Sequence, residues 1–489
     1  MLNTQCSPSA VRILFLDHTA ALSGAELSML NLVQRLDTAQ FVPTVLLFAD
    51  GPLAAALGEV GVTVKILPLT EAVRGAGRGS LGVGSLAKLG AALSSAAFVL
   101  RLARHIRAAK PEIVHCNSLK SDILGGFAAR LAGAKIIWHI HDRIETDYLS
   151  ASVVKVLRRL ARVIPHYVIA NSQATLETLK LPKGKRFAVV YPSVPAAAAV
   201  AARLQVTGDR LQGDASRITD HGSKVYPGAP GINTDQKLGV RGEELEGNAG
   251  VPPASSIKSG ALPQALISPG APGLVIEKDA PHVVSSCLGG EQNSVASVPS
   301  VASSSVVVLV GRISPWKGQD VFIRAAAIVL KTFPACRFQI VGSALFGEDA
   351  LEGELRQLAV SLGVGDRVEF LGFRKDVPEI IAASTLLVHA STVPEPFGQV
   401  IVQAMAESKP VVATRGGGVL EIVDDGKTGL LVPMKDAEAM AKAIGEILAD
   451  PAKAQKMGEA GRERFLEKLT IERTVEEVEA VYVSMTTDH

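Results

Sequence analysis

Three short stretches of this sequence set charged and flexible residues where a chain can meet an anion. The first is Gly311-Arg312-Ile313-Ser314-Pro315-Trp316-Lys317-Gly318, which follows the wholly apolar run Val306–Val310 and precedes a helical pattern from Gln319. An Arg and a Lys five residues apart on such a loop can both turn toward a diphosphate, the guanidinium as a bidentate fork and the ammonium as a point charge. The second runs from Glu395 to Ala406. Pro394 and Pro396 stiffen the loop that carries Glu395, Gly398 marks a turn, and Gln403 falls about one turn inside the next helix, so a carboxylate and an amide can reach the hydroxyls of one ligand. The third is Thr414-Arg415-Gly416-Gly417-Gly418-Val419-Leu420-Glu421, where backbone free of Cβ can approach a phosphate closely. Each stretch also has a plainer account: cations on a solvated surface, or an ordinary strand-to-helix turn.

The first half of the chain carries weaker signals. Ser23-Gly24-Ala25-Glu26 lies between the first strand and a helix, and Trp138-His139-Ile140-His141-Asp142 ends another strand. His141, with Asp142 beside it, is the better candidate for proton or hydrogen-bond chemistry, although strand-end histidines also serve structure alone. His115-Cys116-Asn117-Ser118 and Asn171-Ser172 end further strands, and for Asn171 and Ser172 helix capping is the simpler role. Lys155, Arg158, Arg159 and Arg162 interleave with Val153, Val154, Leu157, Leu160 and Val163. That pattern suits a helix lying on an anionic bilayer, or equally a core-facing stripe with a solvated basic face.

The elements that would position these residues can be read from the same sequence. A chain of 489 residues is too long for one ordinary core. Short β-branched runs near 13–16, 42–47, 62–67, 113–116, 135–140, 167–170 and 187–191 alternate with helical stretches, and a second series spans 306–310, 337–341, 367–371, 386–389, 411–414 and 429–432. Such alternation predicts two α/β units with parallel sheets. A 47% apolar and 4% aromatic composition suits strands buried on both faces. Residues 195–305, rich in Ala, Ser, Gly and Pro, read as a disordered insertion, with a small inserted domain as the alternative. Residues 436–485 read as helical with a break at Asp450–Pro451, and the last helix carries a one-sided stripe of Val475, Val478, Val481 and Tyr482 that must dock.

Fifty basic and 48 acidic residues leave no overall field to gather nucleic acid, so any anion site is local. Cys6, Cys116, Cys287 and Cys336 show no metal-ligand spacing and suit a reducing compartment. The first ten residues lack the basic start and apolar core of an export signal, and the longest uncharged apolar run, 89–100, is too short to cross a bilayer. A cytoplasmic protein, with contact to the inner face of the cell membrane, is the expectation.

Taken together, Gly311–Gly318, Glu395–Gln403 and Gly416–Glu421 resemble the donor-binding domain of retaining glycosyltransferases of the GT-B type, in particular the large family four. The resemblance covers nearly all of 306–486 and, more loosely, 11–191. It implies two Rossmann-like domains facing across a cleft: an acceptor-side domain (11–194), the insertion (195–305), a nucleotide-sugar domain (306–470) and a terminal helix (471–489) docking back toward the first domain. It further implies a donor held by Gly311, Arg312, Lys317, Phe397, Gly398, Gln403, Gly416, Gly417 and Gly418, with Gly24 beneath the reacting sugar. Glu395 and His141 would position that sugar, and Arg312 and Lys317 would stabilise the departing diphosphate without a metal. One position departs from the family: Gln403 stands where its second glutamate is expected against the ribose, and Gln still offers an acceptor and two donors. The implied activity is retaining transfer of a hexose to a glycan or lipid-linked acceptor in polysaccharide synthesis. A nucleotide-sugar epimerase and a catalytically silent sugar-nucleotide-binding partner protein are the alternatives; a glycoside hydrolase fits less, because no second acidic residue shares the Glu395 loop.

Overall fold

The computed structural model describes residues 10–70, 85–147, 149–194, 305–344 and 348–487, the side chains of 85–93 and 349 excepted. The expected insertion at 195–305 lies outside the described residues apart from Ser305, as do Cys6 and Cys287.

The first series of runs forms a seven-stranded sheet. Its strands are β1 (Val11–Asp17), β2 (Phe41–Leu47), β3 (Thr63–Ile66), β4 (Ile113–Cys116), β5 (Lys135–Ile140), β6 (Tyr167–Ala170) and β7 (Phe187–Val189). They stand in the order β3-β2-β1-β4-β5-β6-β7, with every pairing parallel. Helices α1 (Gly24–Val33), α2 (Pro52–Glu59), α3 (Ser85–Ala109), α4 (Leu119–Ala132), α5 (Ala151–Val163) and α6 (Gln173–Leu179) connect them. The second series forms a six-stranded sheet of β8 (Val306–Val310), β9 (Arg337–Val341), β10 (Val368–Gly372), β11 (Leu386–His389), β12 (Val411–Thr414) and β13 (Gly429–Val432), in the order β10-β9-β8-β11-β12-β13 and again parallel.

The continuous apolar runs are explained by where alternate side chains go. In β1, Leu14 and Leu16 enter one core while Ile13 and Phe15 enter another on the opposite face. In β8, Val307 and Leu309 face one core and Val308 faces a second. A strand buried on both faces has no polar side to show, so period-two alternation is absent.

Both sheets reverse direction once, between β1 and β4 and between β8 and β11. In open parallel sheets a crevice opens beyond the carboxyl ends of the strands at such a point. The loops leaving β8 and β11 carry Arg312, Lys317 and Glu395, so the second reversal sits under those three residues. The first sits under Asp17 and Asn117.

After helices α7 (Gln319–Val329), α8 (Asp349–Ser361), α9 (Val377–Ala383), α10 (Gln399–Ala406), α11 (Val419–Ile422), α12 (Ala437–Ala449) and α13 (Pro451–Lys468), the chain returns to the first sheet. The break before α13 is local chemistry: the Asp450 carboxylate accepts from the Lys453 amide at 2.9 Å, and Pro451 occupies the first turn. A second break precedes α14 (Ile471–Thr487), which buries Ile471, Val475, Val478, Val481, Tyr482 and Met485 among Ile13, Phe15, Met29 and Phe41. Both lobes belong to one compact unit.

Candidate active site

At the reversal point of the C-terminal sheet, the Lys317 ammonium donates to both carboxylate oxygens of Glu395, at 2.8 and 2.9 Å. Ser391 Oγ donates to Glu395 Oε2 at 2.6 Å, and His389 Nε2 lies 3.2 Å from the same oxygen. His389 is the last residue of β11 and Ser391 follows it, so one strand end supplies two of the three partners. Glu395 is only 15% exposed. Burial pushes its carboxyl up, but Lys317 and the His389 hydrogen bond outweigh burial and hold it well below the usual carboxylate range. Arg312, on the loop with Lys317, stacks its guanidinium 5.0 Å from the centre of the Trp316 ring, and its carbonyl accepts from Gln319. Gln403 lies half-buried on α10.

The glycine turn has a use within the chain that its sequence did not reveal. Gly417 has φ +63°, and a Cβ there would lie 2.0 Å from the Glu395 carbonyl oxygen. A Cβ on Gly418 would meet the Pro396 oxygen at 2.5 Å, and the Gly418 amide donates to the Glu395 carbonyl at 2.9 Å. These two glycines therefore let the Glu395 loop lie directly on the turn after β12. Gly416 and Gly311 have only ordinary contacts within 4 Å of a Cβ. Gly398 (φ +115°) begins α10, whereas the Phe397 ring is buried in the core and stacked on Tyr191 at 5.6 Å.

In the N-terminal lobe, His141 Nε2 lies 3.0 Å from Asn117 Oδ1, and Asn117 Nδ2 donates to Asp17 Oδ2 at 2.8 Å. Burial pushes the His141 imidazole down to about 4 against the pull of Asp142 and Asp17, so it is neutral near pH 7. The His139 ring lies tilted against it with centroids 4.2 Å apart, and His115 bridges His139 to the Tyr482 hydroxyl of α14 at 3.1 and 2.8 Å. Gly24 opens α1, where a Cβ would come within 3.3 Å of Gln399 Oε1 in the other lobe. Glu26, bonded to the Ser23 hydroxyl, is pushed up to about 7 by burial and by Asp17. The Asp122 carboxyl is buried without a hydrogen-bond partner among the described residues, and burial pushes it well above the usual carboxylate range.

Some expectations shift. Ser172 does cap α6, accepting from the Thr175 amide at 2.9 Å, but Asn171 instead donates to the His141 carbonyl at 3.0 Å. In α5 the buried face is Val154, Leu157 and Ala161, while Val153 and Val163 are exposed, because the helix is turned by about a residue from the expected stripe. Arg158 is not part of its solvated basic face: it donates to the carbonyls of Thr178 and Ile144 and to Glu145. Asp17, His389 and Ser391 were not singled out from sequence; the signal was that each stands at or just beyond a strand's carboxyl end.

Residues 22–197 match the model of Glycosyltransferase Family 4, and residues 292–464 match that of Glycosyl transferases group 1. The chain belongs to the group 1 glycosyltransferases. Among relatives of this group 1 protein, the lipopolysaccharide core biosynthesis glycosyltransferase LpsE of Rhizobium meliloti is 34% identical over 171 residues, 35% of this chain and 47% of its own. The GDP-mannose-dependent alpha-(1-6)-phosphatidylinositol monomannoside mannosyltransferase of Mycolicibacterium smegmatis is 37% identical over 165 residues, 32% of this chain and 42% of its own. The chain spans under half the length of these curated relatives. Of solved structures, Anabaena HepE in complex with UDP and glucose superposes with a TM-score of 0.66 at 24% identity, covering 97% of this chain and 100% of that one. Sucrose-phosphate synthase of Thermosynechococcus elongatus gives 0.62 at 18%, covering 98% and 100%. The two sheets are thus the paired Rossmann-like domains of a GT-B fold. Among the described residues, no helix is long and apolar enough to cross a membrane.

Proposed function

We propose that this protein transfers a sugar from a nucleotide-sugar donor to a glycan or lipid-linked acceptor in polysaccharide or lipopolysaccharide synthesis, with retention of configuration. The observation that carries the reading is the Lys317–Glu395 pair at the reversal point of the C-terminal sheet. Arriving diphosphate would compete with Glu395 for the ammonium, which leaves the carboxylate free to accept from a sugar hydroxyl. As the bond to the nucleotide breaks, negative charge grows on the diphosphate, and Lys317 and Arg312 supply the compensating charge that a metal supplies elsewhere. His141, neutral and held by Asn117, donates or accepts a hydrogen bond without adding charge. The UDP and glucose bound by HepE, and the GDP-mannose used by the mycobacterial relative, support a nucleoside-diphosphate sugar as donor.

The exposed side of α5 supports a place on a membrane surface, since Lys155, Arg159 and Arg162 sit beside exposed Val156 and Val163.

The test is a screen of UDP-, GDP- and ADP-sugars for transfer, with the anomeric configuration of the product read by NMR. Lys317→Ala is expected to lower turnover by at least ~100-fold while the protein stays folded, the scale of losing one stabilising charge in the transition state. Near-normal transfer by that variant would refute the assigned role. An epimer formed from donor alone supports the epimerase, and neither transfer nor hydrolysis supports the silent partner.

A further inference from the structure

The residues that follow Glu395 are held from the other lobe. Pro396 offers its carbonyl to Ser172 Oγ at 2.5 Å and to Thr175 Oγ1 at 3.2 Å, and Phe397 stacks on Tyr191. Glu421 lies just beyond the Gly416–Gly418 turn on which the Glu395 backbone rests. Its carboxylate takes the amide hydrogens of Gln173 and Ala174, each at 2.8 Å, and the Tyr191 hydroxyl at 3.1 Å. Three donors, all from the N-terminal lobe, converge on one carboxylate of the donor-side turn. The turn is braced from behind, where Arg464 donates to the carbonyls of Glu421 and Ile422 at 2.9 and 2.6 Å.

A carboxylate in this position does what a capping residue does for its own helix, but across lobes. It satisfies the first free amides of α6 and sits at the positive end of that short helix. Tyr191 then joins both halves of the contact, through its hydroxyl to Glu421 and its ring to Phe397. The loop bearing Glu395 is thereby fixed at its carbonyl by Gly418, at its next residue by Ser172 and Thr175, and at its supporting turn by Glu421.

We propose that Glu421 is a positioning residue for Glu395: by binding α6 of the opposite lobe, it sets where the Glu395 carboxylate stands relative to the N-terminal lobe. A shift of about 1 Å in a reacting group costs on the order of 100-fold in rate. The inference rests on the Glu395 loop being the donor-sugar site, and it specifies that catalysis depends on a contact remote from Lys317 and the diphosphate.

The experiment uses the full chain with Glu421→Ala, Glu421→Gln and Tyr191→Phe. With whichever donor the screen identifies, Glu421→Ala is expected to lower kcat ~10- to 100-fold and leave donor KM within about threefold, the pattern of an interaction that acts on the transition state. Gln keeps one acceptor oxygen, and Glu421→Gln is expected to recover at least about a third of that loss on the logarithmic scale. Tyr191→Phe, which keeps the ring and removes one donor, is expected to fall within about fivefold of the parent. A second readout needs no turnover: amide hydrogen exchange of Glu421→Ala is expected to rise in peptides covering 172–176 and 395–399 together, with 306–318 unchanged. Unchanged exchange at 395–399, or equal losses in kcat and donor affinity without rescue by Gln, overturns the proposal. If the parent protein transfers no sugar, the reading of function fails, and the exchange result still decides whether Glu421 holds the loop.

Discussion

Two carboxyls with little exposure to water, Glu26 and Glu395, are pushed in opposite directions, and the difference is one of partners. Glu395 faces an ammonium and two further hydrogen-bond partners, which outweigh its burial and favour its charge; Glu26 has burial working against its charge and Asp17 adding to that effect. The sign of the consequence for Glu26 follows from linkage. Its folded value of about 7 lies above its ordinary 4.5, so below pH 4.5 it is protonated whether folded or unfolded and has no effect. Between pH 4.5 and 7 the unfolded chain releases that proton and the folded chain keeps it, which removes about 3 kcal/mol of stability by pH 7. Glu26→Gln keeps an acceptor for Ser23 and cannot titrate. Thermal melts across pH 4 to 8 are expected to show equal stability for variant and parent at the acid end and an advantage of about 2–3 kcal/mol for the variant above pH 7. A parallel pair of curves would show that Glu26 does not hold the proton. Of these residues, Glu395 and Lys317 were legible in the sequence because a stiff proline loop and a post-strand cationic loop mark themselves. The partners of Glu421 were not, since Gln173 lies 248 positions away and no local pattern records such a distance.

At the scale of elements, the thirteen strands of the described residues were visible as β-branched or apolar runs, most plainly the central ones such as β4, β11 and β12, which are buried on both faces and so carry almost no polar residue. What the runs did not reveal is the turn chemistry between them. The triple glycine was read as a phosphate cradle, and the structure adds that two of the three glycines are needed for one loop to lie on another. Gly417→Ala is therefore expected to cost about 2–4 kcal/mol, from a left-handed backbone that an alanine resists and from a Cβ that must push the Glu395 carbonyl away. Gly426, also left-handed at φ +79°, has nothing within 4 Å of its would-be Cβ. Gly426→Ala carries only the backbone cost of about 1–2 kcal/mol. Denaturant unfolding of the two variants side by side separates the terms, and equal losses would mean that the close approach to Glu395 has no energetic weight.

At the scale of the whole molecule, the last helix belongs to the first lobe. The stripe at Val475, Val478, Val481 and Tyr482 was visible in sequence, but its partner lies across the chain, in Ile13, Phe15, Met29 and Phe41. Polar contacts reinforce the apolar ones: Thr474 Oγ1 donates to the Tyr191 carbonyl at 2.7 Å, and Arg186 donates to the Ser484 carbonyl at 3.2 Å. Six buried apolar side chains at about 1.5–3 kcal/mol each amount to on the order of 10 kcal/mol, as large as the net stability of a typical domain. A variant ending at Thr470 is therefore expected to lose the folded N-terminal lobe, because the face of that lobe which α14 covers would be left in water. Limited proteolysis is expected to degrade 10–194 in the truncated chain while 305–470 persists. The point variant Tyr482→Phe tests the same contact gently: it removes the hydroxyl from buried His115 and is expected to cost about 1–3 kcal/mol. A truncated chain that melts within a degree or two of the parent would mean that α14 rests on the lobe without holding it. In that event Tyr482→Phe would leave the melting temperature unmoved as well.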